Sequence, residues 1–146
     1  MFLNLGCGSQ SMEGFVNVDL VKQDGVDVVH DLDVHPWPFD DGSVTQIQAI
    51  DVFEHVADPI GFMTEAHRVL ARGEMLVMKT PHYKCRDAFT DPTHRRFPTE
   101  HTWDYWIPGT ALFERSNTAY GGVSFDLVRR EVFNGAIHIQ LLKRTA

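Results

Sequence analysis

A glycine turn and two strand-end carboxylates are the first residues whose types and order could do chemistry together. Leu3-Asn4-Leu5-Gly6-Cys7-Gly8 is a short apolar run that enters a Gly-x-Gly turn. Without Cβ atoms such a turn lets the backbone approach a ligand closely, and it is equally the mark of a plain tight turn. Asp19 closes the run Phe15-Val16-Asn17-Val18, and Asp31 closes Val26-Asp27-Val28-Val29-His30. A carboxylate at the end of a strand can accept hydrogen bonds from both hydroxyls of a ribose. A second one, at the end of the next strand, could sit beside the exocyclic amine of adenine. Each aspartate alone is also an ordinary turn or cap residue. In order, at successive strand ends, the three features point to a nucleoside.

Histidines follow two later strands. His55 comes just after Ile47-Gln48-Ala49-Ile50-Asp51, and His82 follows Pro81 at the end of Glu74–Thr80. His94 lies in Asp91-Pro92-Thr93-His94-Arg95-Arg96. Imidazole is suited to proton transfer near neutral pH. His55 is therefore either a base or acceptor-site residue, or a ring packed on the first turn after its strand. The residue types of His82, Cys85, Asp91, His94 and His101 suit zinc or iron. Their spacings match no standard ligand pattern, so the sequence assigns no metal. Arg95 and Arg96 read as a solvated pair, or as a means of recognising an anionic acceptor.

The elements that must carry these residues alternate apolar runs with turns, as in α/β domains. Five strands are expected, at residues 2–5, 15–19, 26–31, 47–51 and 74–80. One helix is well signalled. Asp58 is its N-cap and Pro59 its first residue. Phe62, Met63, Ala66, Val69 and Leu70 form one apolar face, and Gly73 is expected just past the C-terminus. Val123 to Leu142 reads as a hairpin about Asn134-Gly135. A mostly parallel sheet that ends in an antiparallel pair differs from an all-parallel dinucleotide domain. Residues 82–121 are irregular and aromatic, with two short helices expected near 99–106 and 110–115. Their place is over the C-terminal edge of the sheet. Trp103, Tyr105 and Trp106 either line an acceptor pocket or pack that segment down.

Composition narrows the function classes. The 146 residues suit one domain, 1–146, and 43% hydrophobic with 23% charged content argues against disorder. No apolar run is long enough to span a membrane, and the N-terminus lacks the basic start of a secretory leader. Two cysteines, Cys7 and Cys85, do not make a disulfide scaffold, and reduced thiols in a cytoplasm are expected. The net charge is −7, and residues 1–62 hold eleven acidic residues against Lys22 alone. Such a half is a poor partner for nucleic acid. It suits a cationic small ligand, or a solvated acidic surface. Binding of NAD is disfavoured, because position 11 is Ser11 where the third glycine of the dinucleotide fingerprint would stand. The crossover from Gly8 to the next strand also leaves little helix for a pyrophosphate.

The ordered set of motifs resembles small class I S-adenosylmethionine-dependent methyltransferases of the type 11 kind. It comprises Leu3–Gly8, Asn17-Val18-Asp19, Asp31-Leu32, Pro38–Val44, Asp51-Val52-Phe53-Glu54-His55-Val56 and Arg68–Gly73. The resemblance runs from residue 3 to about residue 82, and the final hairpin agrees with it. It implies a Rossmann-like methyltransferase fold of α/β class, mostly parallel with a C-terminal antiparallel hairpin and a first helix shortened or absent. It implies S-adenosyl-L-methionine as cofactor. Gly6, Cys7 and Gly8 would cradle the methionine part, Asp19 would hold the ribose, and Asp31 with the backbone of Leu32 would address the adenine. Asp51 would lie near the methionine amine and the transferred methyl. His55, His82 and His94 are the candidate catalytic residues on the acceptor side. The acceptor is expected to be a small molecule, and the aromatic loop offers a surface for a second copy of the chain. Two other functions stay open at this stage: a non-catalytic module that keeps the cofactor, and an NAD-dependent oxidoreductase. The chain departs from the family pattern at Asn4, where an acidic residue is common, and at Arg72-Gly73-Glu74, where Pro-Gly-Gly is usual.

Overall fold

A computed structural model describes residues 1–145. Its seven strands are β1 (Phe2–Leu5), β2 (Val16–Asp19), β3 (Val28–Val29), β4 (Val44–Ile50), β5 (Leu70–Pro81), β6 (Phe125–Phe133) and β7 (Ala136–Lys143). They form one sheet in the order β3-β2-β1-β4-β5-β7-β6. The first five run parallel, with Leu5 paired to Val18 on one side and to Ala49 on the other. β7 lies antiparallel between β5 and β6. The chain winds outward from β1 to β3, then returns to the other side of β1 to start β4. Connections therefore leave β1 and β4 in opposite directions at their C-terminal ends, where open α/β sheets hold ligands.

Only one face of the parallel strands is dry. Leu3, Leu5, Val18, Ile47, Ala49, Leu76 and Met78 are buried in a single core with Phe62, Met63, Ala66 and Val69 of α1 (Pro59–Val69). Trp103 and Trp106 complete that layer. Residues of the opposite phase, Gln46, Gln48, Val77 and Gln140, are half-buried. Parallel strands covered on both faces read as continuous apolar runs. β4 instead alternates, Val44-Thr45-Gln46-Ile47-Gln48-Ala49, and its glutamines tolerate contact with water. No helix intervenes between β1 and β2, β2 and β3, or β3 and β4.

A polar clasp replaces the first crossover helix. Residues 6–15 are turns and extended chain, and Asn17 ties them down. Its Oδ1 accepts from Met12 N at 2.8 Å and from Asn4 Nδ2 at 2.9 Å. Its Nδ2 donates to Met12 O at 3.2 Å and to Asp27 Oδ2 at 3.2 Å. Asn4 also donates to Gln10 O at 2.9 Å. Both asparagines are buried, so these bonds satisfy groups that would otherwise be costly to bury. The Asn4 side-chain amide is thus engaged by this loop and by Asn17.

Asp58 caps α1 as its sequence position predicts, accepting from Gly61 N at 2.9 Å with Pro59 next in the chain. Glu65 and Arg68 then fasten the preceding loop to the helix. Buried Glu65 accepts from Trp37 N at 2.6 Å and pairs with Arg68 at 2.7 Å, and Arg68 donates to Phe39 O at 2.8 Å. Trp37 is thereby held in the core against Phe62.

Several boundaries differ from those the pattern predicts, among them the start of β5, which is Leu70 and not residue 74. The strand expected over 26–31 is only Val28–Val29, because a short pairing with β2 is all that this edge receives. The helix ends at Val69 and passes directly into β5, so Gly73 is not its C-terminal stop but a left-handed residue inside β5. There the register shifts between Val44–Leu70 and Gln46–Met75, and a positive φ of 78° accommodates the irregularity. β4 in turn begins at Val44, three residues before the expected start. Between β5 and β6 the chain makes short helical segments, α2 (Asp87–Thr90), a 3₁₀ turn at Thr102–Trp106, α3 (Ala111–Ser116) and a 3₁₀ turn at Asn117–Tyr120. Among the described residues, no helix is long and apolar enough to cross a membrane.

His67 makes this core sensitive to acid. It packs edge-on to Phe125 at 5.3 Å, and burial, with the Lys143 charge nearby, pushes its imidazole down to about 4. The unfolded chain takes up that proton near the ordinary value of 6.5. The contribution is therefore complete above 6.5 and is lost as pH falls toward about 4. Thermal melts at neutral pH and near pH 5 should show a smaller loss of Tm for His67→Gln than for the parent chain.

Candidate active site

The crevice at the C-terminal ends of β1, β2 and β4 encloses about 270 Å³. Gly6, Asp19, Asp31, Leu32, Asp51, Val52 and His55 are among its lining residues. Its position follows from the strand-order reversal, and its shape from Gly6. That glycine has a φ of 60°, and an added Cβ would stand 2.5 Å from Val52 Cγ2. Any larger residue would drive a side chain into Val52 and narrow the crevice.

The glycine turn and Asp19 form one unit. Gly8 N donates to Asp19 Oδ2 at 2.7 Å, and Val21 N donates to Oδ1 at 3.0 Å. The carboxylate is held still by two amides, while each oxygen keeps a lone pair for a ligand. Cys7 does not line the crevice. It is buried, its amide donates to Val18 O at 3.0 Å, and its role is to fasten the turn to β2. Burial, aided by the Asp19 charge, pushes its thiol up, which keeps it protonated. Gly8 likewise lies outside the lining and acts through its amide. The carbonyl of Leu32 already accepts from Trp37 Nε1 at 3.1 Å and faces His35 Nε2 at 3.1 Å. What its backbone can offer a ligand is therefore its amide.

Four carboxylates border this space: Asp19, Asp31, Asp33 and Asp51. Asp33 was not singled out by the sequence pattern, although Asp31-Leu32-Asp33 places it two residues from one that was. It accepts from Ala57 N at 2.8 Å and Asp58 N at 2.9 Å, tying the loop after β3 to the start of α1. Asp51 has a left-handed φ of 55°, a conformation that costs a residue with a Cβ about 1–2 kcal/mol. The bend lets its side chain border the crevice while Lys79 holds it at 2.8 Å.

A second space of about 280 Å³ adjoins the first, sharing Asp51 and His55. Glu54, Lys79, Cys85, Asp91 and His94 also line it. The structure thus brings His55 and His94 together, their rings 4.7 Å apart and edge to face. It does not bring His82 to them. His82 is buried, bonded through Nε2 to Glu100 at 2.8 Å, and lines neither space, which corrects its expected place beside an acceptor. His101 is likewise elsewhere, paired with Asp104 at 2.9 Å. Arg96 is not a solvated residue. It donates to Phe53 O at 2.6 Å and lies over the Phe53 ring at 5.6 Å, and burial lowers its pKa.

Sequence reasoning passed over Glu54. It is 1% exposed, and burial raises its pKa above the usual carboxylate range, the Thr80 hydrogen bond at 2.9 Å offsetting this only in part. The available signal was an acidic residue between Phe53 and Val56, both core residues.

A family model described as a methyltransferase domain matches residues 9–78. The Thermotoga maritima S-adenosylmethionine-dependent methyltransferase superposes with a TM-score of 0.70, covering 98% of this chain and 82% of that one at 17% identity. A Haloferax volcanii methyltransferase solved with the Trm112 methyltransferase activator superposes at 0.65, with 14% identity over 98% and 82% of the two chains. The [4+2]-cyclase SpnF superposes at 0.67, with 12% identity over 99% of this chain and 74% of that one. Among curated proteins, a 37.1 kDa protein of transposon Tn4556 from Streptomyces fradiae, itself uncharacterized, is 45% identical over 49 residues. That stretch is 34% of this chain and 14% of the relative. The chain has the Rossmann-like fold of the class I S-adenosylmethionine-dependent methyltransferases, and residues 9–78 carry the methyltransferase-domain signature.

Gly6→Ala tests the shape of the crevice. The left-handed backbone alone should cost about 1–2 kcal/mol, and the clash with Val52 adds to it. A lowered Tm in calorimetry is expected, whereas Gly8→Ala, with nothing within 4 Å of the added Cβ, should lose less.

Proposed function

We propose that the protein binds S-adenosylmethionine in the crevice and transfers its methyl group to a small-molecule acceptor held in the adjoining space. The observation that carries this reading is the unit of Gly6, Gly8 and Asp19 at the strand-order reversal, within a crevice bordered by four carboxylates. The donor set suits the ligand. A cationic sulfonium with an amine and a nucleoside is favoured by clustered carboxylates, and Gly6 leaves room where a Cβ would not.

When bound, the cofactor supplies an electrophilic methyl group on a sulfonium. Asp19, immobilised by two backbone amides, is placed to accept from ribose hydroxyls. Asp31 and the Leu32 amide serve the adenine. Asp51 serves the amine of the methionine part and shares its charge with Lys79. Methyl transfer is an in-line displacement, so alignment is the protein's main contribution, and good alignment is worth roughly 7–11 kcal/mol. His55 borders both spaces and His94 the second, which supports their use in taking a proton from an acceptor held there. His82 acts at a distance by bracing the segment through Glu100.

A second reading, in which the chain binds the nucleoside without turning it over, follows from Lys79 already pairing with Asp51 at 2.8 Å, which leaves less negative charge there for the methyl-bearing sulfonium. The cyclase among the similar folds supports the general point that this fold serves more than methyl transfer. Incubation with methyl-labelled cofactor and a cell extract separates the two: labelled product supports the enzyme, and tight binding without transfer supports the module.

Asp19→Asn should weaken S-adenosylmethionine by about 1–3 kcal/mol, the cost of lost charge-assisted hydrogen bonds. Calorimetric titration measures this, with NAD as the competing ligand. Unchanged affinity would remove the ribose assignment, and preferential binding of NAD would replace the cofactor.

A further inference from the structure

We propose that Glu54, His55 and His94 form a binding site for one first-row divalent transition-metal ion, such as zinc, in the space beside the crevice. Each of the three offers a ligand atom, and these atoms lie within 4.8 Å of one another. Two nitrogens and a carboxylate oxygen are a donor set that such ions accept, with positions left open for an exogenous group.

The hydrogen bonds around the histidines fix which nitrogen is free. His94 Nδ1 lies 2.8 Å from the Ala88 carbonyl, which only accepts, so Nδ1 carries the proton and Nε2 keeps its lone pair. The Thr93 hydroxyl spends its proton on Asp91 Oδ1 at 2.7 Å. It must therefore accept from His55 Nδ1, 3.0 Å away, which again leaves Nε2 as a base. Metal-binding histidines are oriented in this way, by a carbonyl or a carboxylate-linked group on the other ring nitrogen. Each ring thus has Nδ1 bonded within the loop and an Nε2 that makes no hydrogen bond among the described residues.

Glu54 supplies an independent observation. Its Oε2 accepts from Thr80, but Oε1 is buried with no hydrogen-bond partner. A buried carboxylate oxygen without a partner is costly, and a cation beside it removes that cost. Asp91 Oδ2, 3.9 Å from His94 Nε2, adds a further carboxylate at the rim. Lys79 is the one lysine or arginine among the described lining residues, and it is already paired with Asp51. Of the five residues whose types suit a metal, Cys85, Asp91 and His94 share this space, whereas His82 and His101 have other partners. Backbone pairing of Arg95 N with Glu54 O at 2.8 Å instead sets His94 beside Glu54 and His55.

Binding of the ion does not depend on methyl transfer. Its use does rest on the reading above: a metal bordering the crevice would hold an acceptor hydroxyl or thiol and lower its pKa, so that the proton passes to solvent and the alkoxide or thiolate is the nucleophile.

The test uses the full chain, without an affinity tag and stripped with a chelator. Zinc is titrated by calorimetry, and cobalt(II) is followed by its visible d–d absorption. One ion per chain is expected. His55→Ala and His94→Ala should each weaken binding by about tenfold or more, while His101→Ala leaves it unchanged. Circular dichroism reports folding, and the more exposed His55 provides a variant that does not open the core. Absence of saturable binding, or binding that survives in the His55→Ala/His94→Ala double variant, overturns the site. S-adenosylmethionine is titrated into the same preparation. Metal binding without cofactor binding would uphold the ion site and remove the methyltransferase reading, and the reverse result would do the opposite.

Discussion

The reversal of strand order between β1 and β4 is the constraint on which the rest of the molecule depends. Because the chain leaves β1 toward β2 and leaves β4 toward β5, the connections at the C-terminal ends of these two strands part from each other. A crevice must remain there. Gly6 keeps it open on the β1 side, and the left-handed bend at Asp51 aims a carboxylate along it from β4. The chemistry is thus placed by topology first and by side chains second.

The fold supports that crevice with few helices. α1 and the aromatic residues Trp103 and Trp106 cover one face of the sheet, and the other face is left to alternating polar residues. Asn17 replaces the first crossover helix by satisfying the backbone of residues 12–15 directly. The arrangement has a consequence at the site. With no helix after β1 there is no helix dipole to attract a phosphate. What remains at the strand ends is a set of aspartates, an environment for a cation instead of a pyrophosphate.

The second space draws its character from the segment after β5. That segment returns to β4 through the Arg95–Glu54 backbone bond and lays His94 beside His55. Thr93, Asp91 and the Ala88 carbonyl then orient both rings. Nothing in one helix or strand creates this group; it arises where two loops meet.

The amino-acid order by itself determined the parts that are local. Asp58 and Pro59 followed by apolar residues at helical spacing start a helix, Asn134-Gly135 closes the β6–β7 hairpin, and an apolar run into Gly6 makes a strand and a turn. Asp19 and Asp31 were legible for the same reason, since a carboxylate at a strand end needs only the strand to be placed. The end of α1 was not legible, because Gly73 is a stop signal that strand pairing with β4 overrides. Tertiary structure alone decided the rest. The Asp51–Lys79 pair needs the β4–β5 register that sets Ile50 against Lys79, and the Glu54, His55 and His94 group needs segments some forty residues apart to meet. Spacing along a chain constrains partners within a turn or a strand. Contacts between distant loops depend on how the whole core packs, and that information is spread over every buried residue.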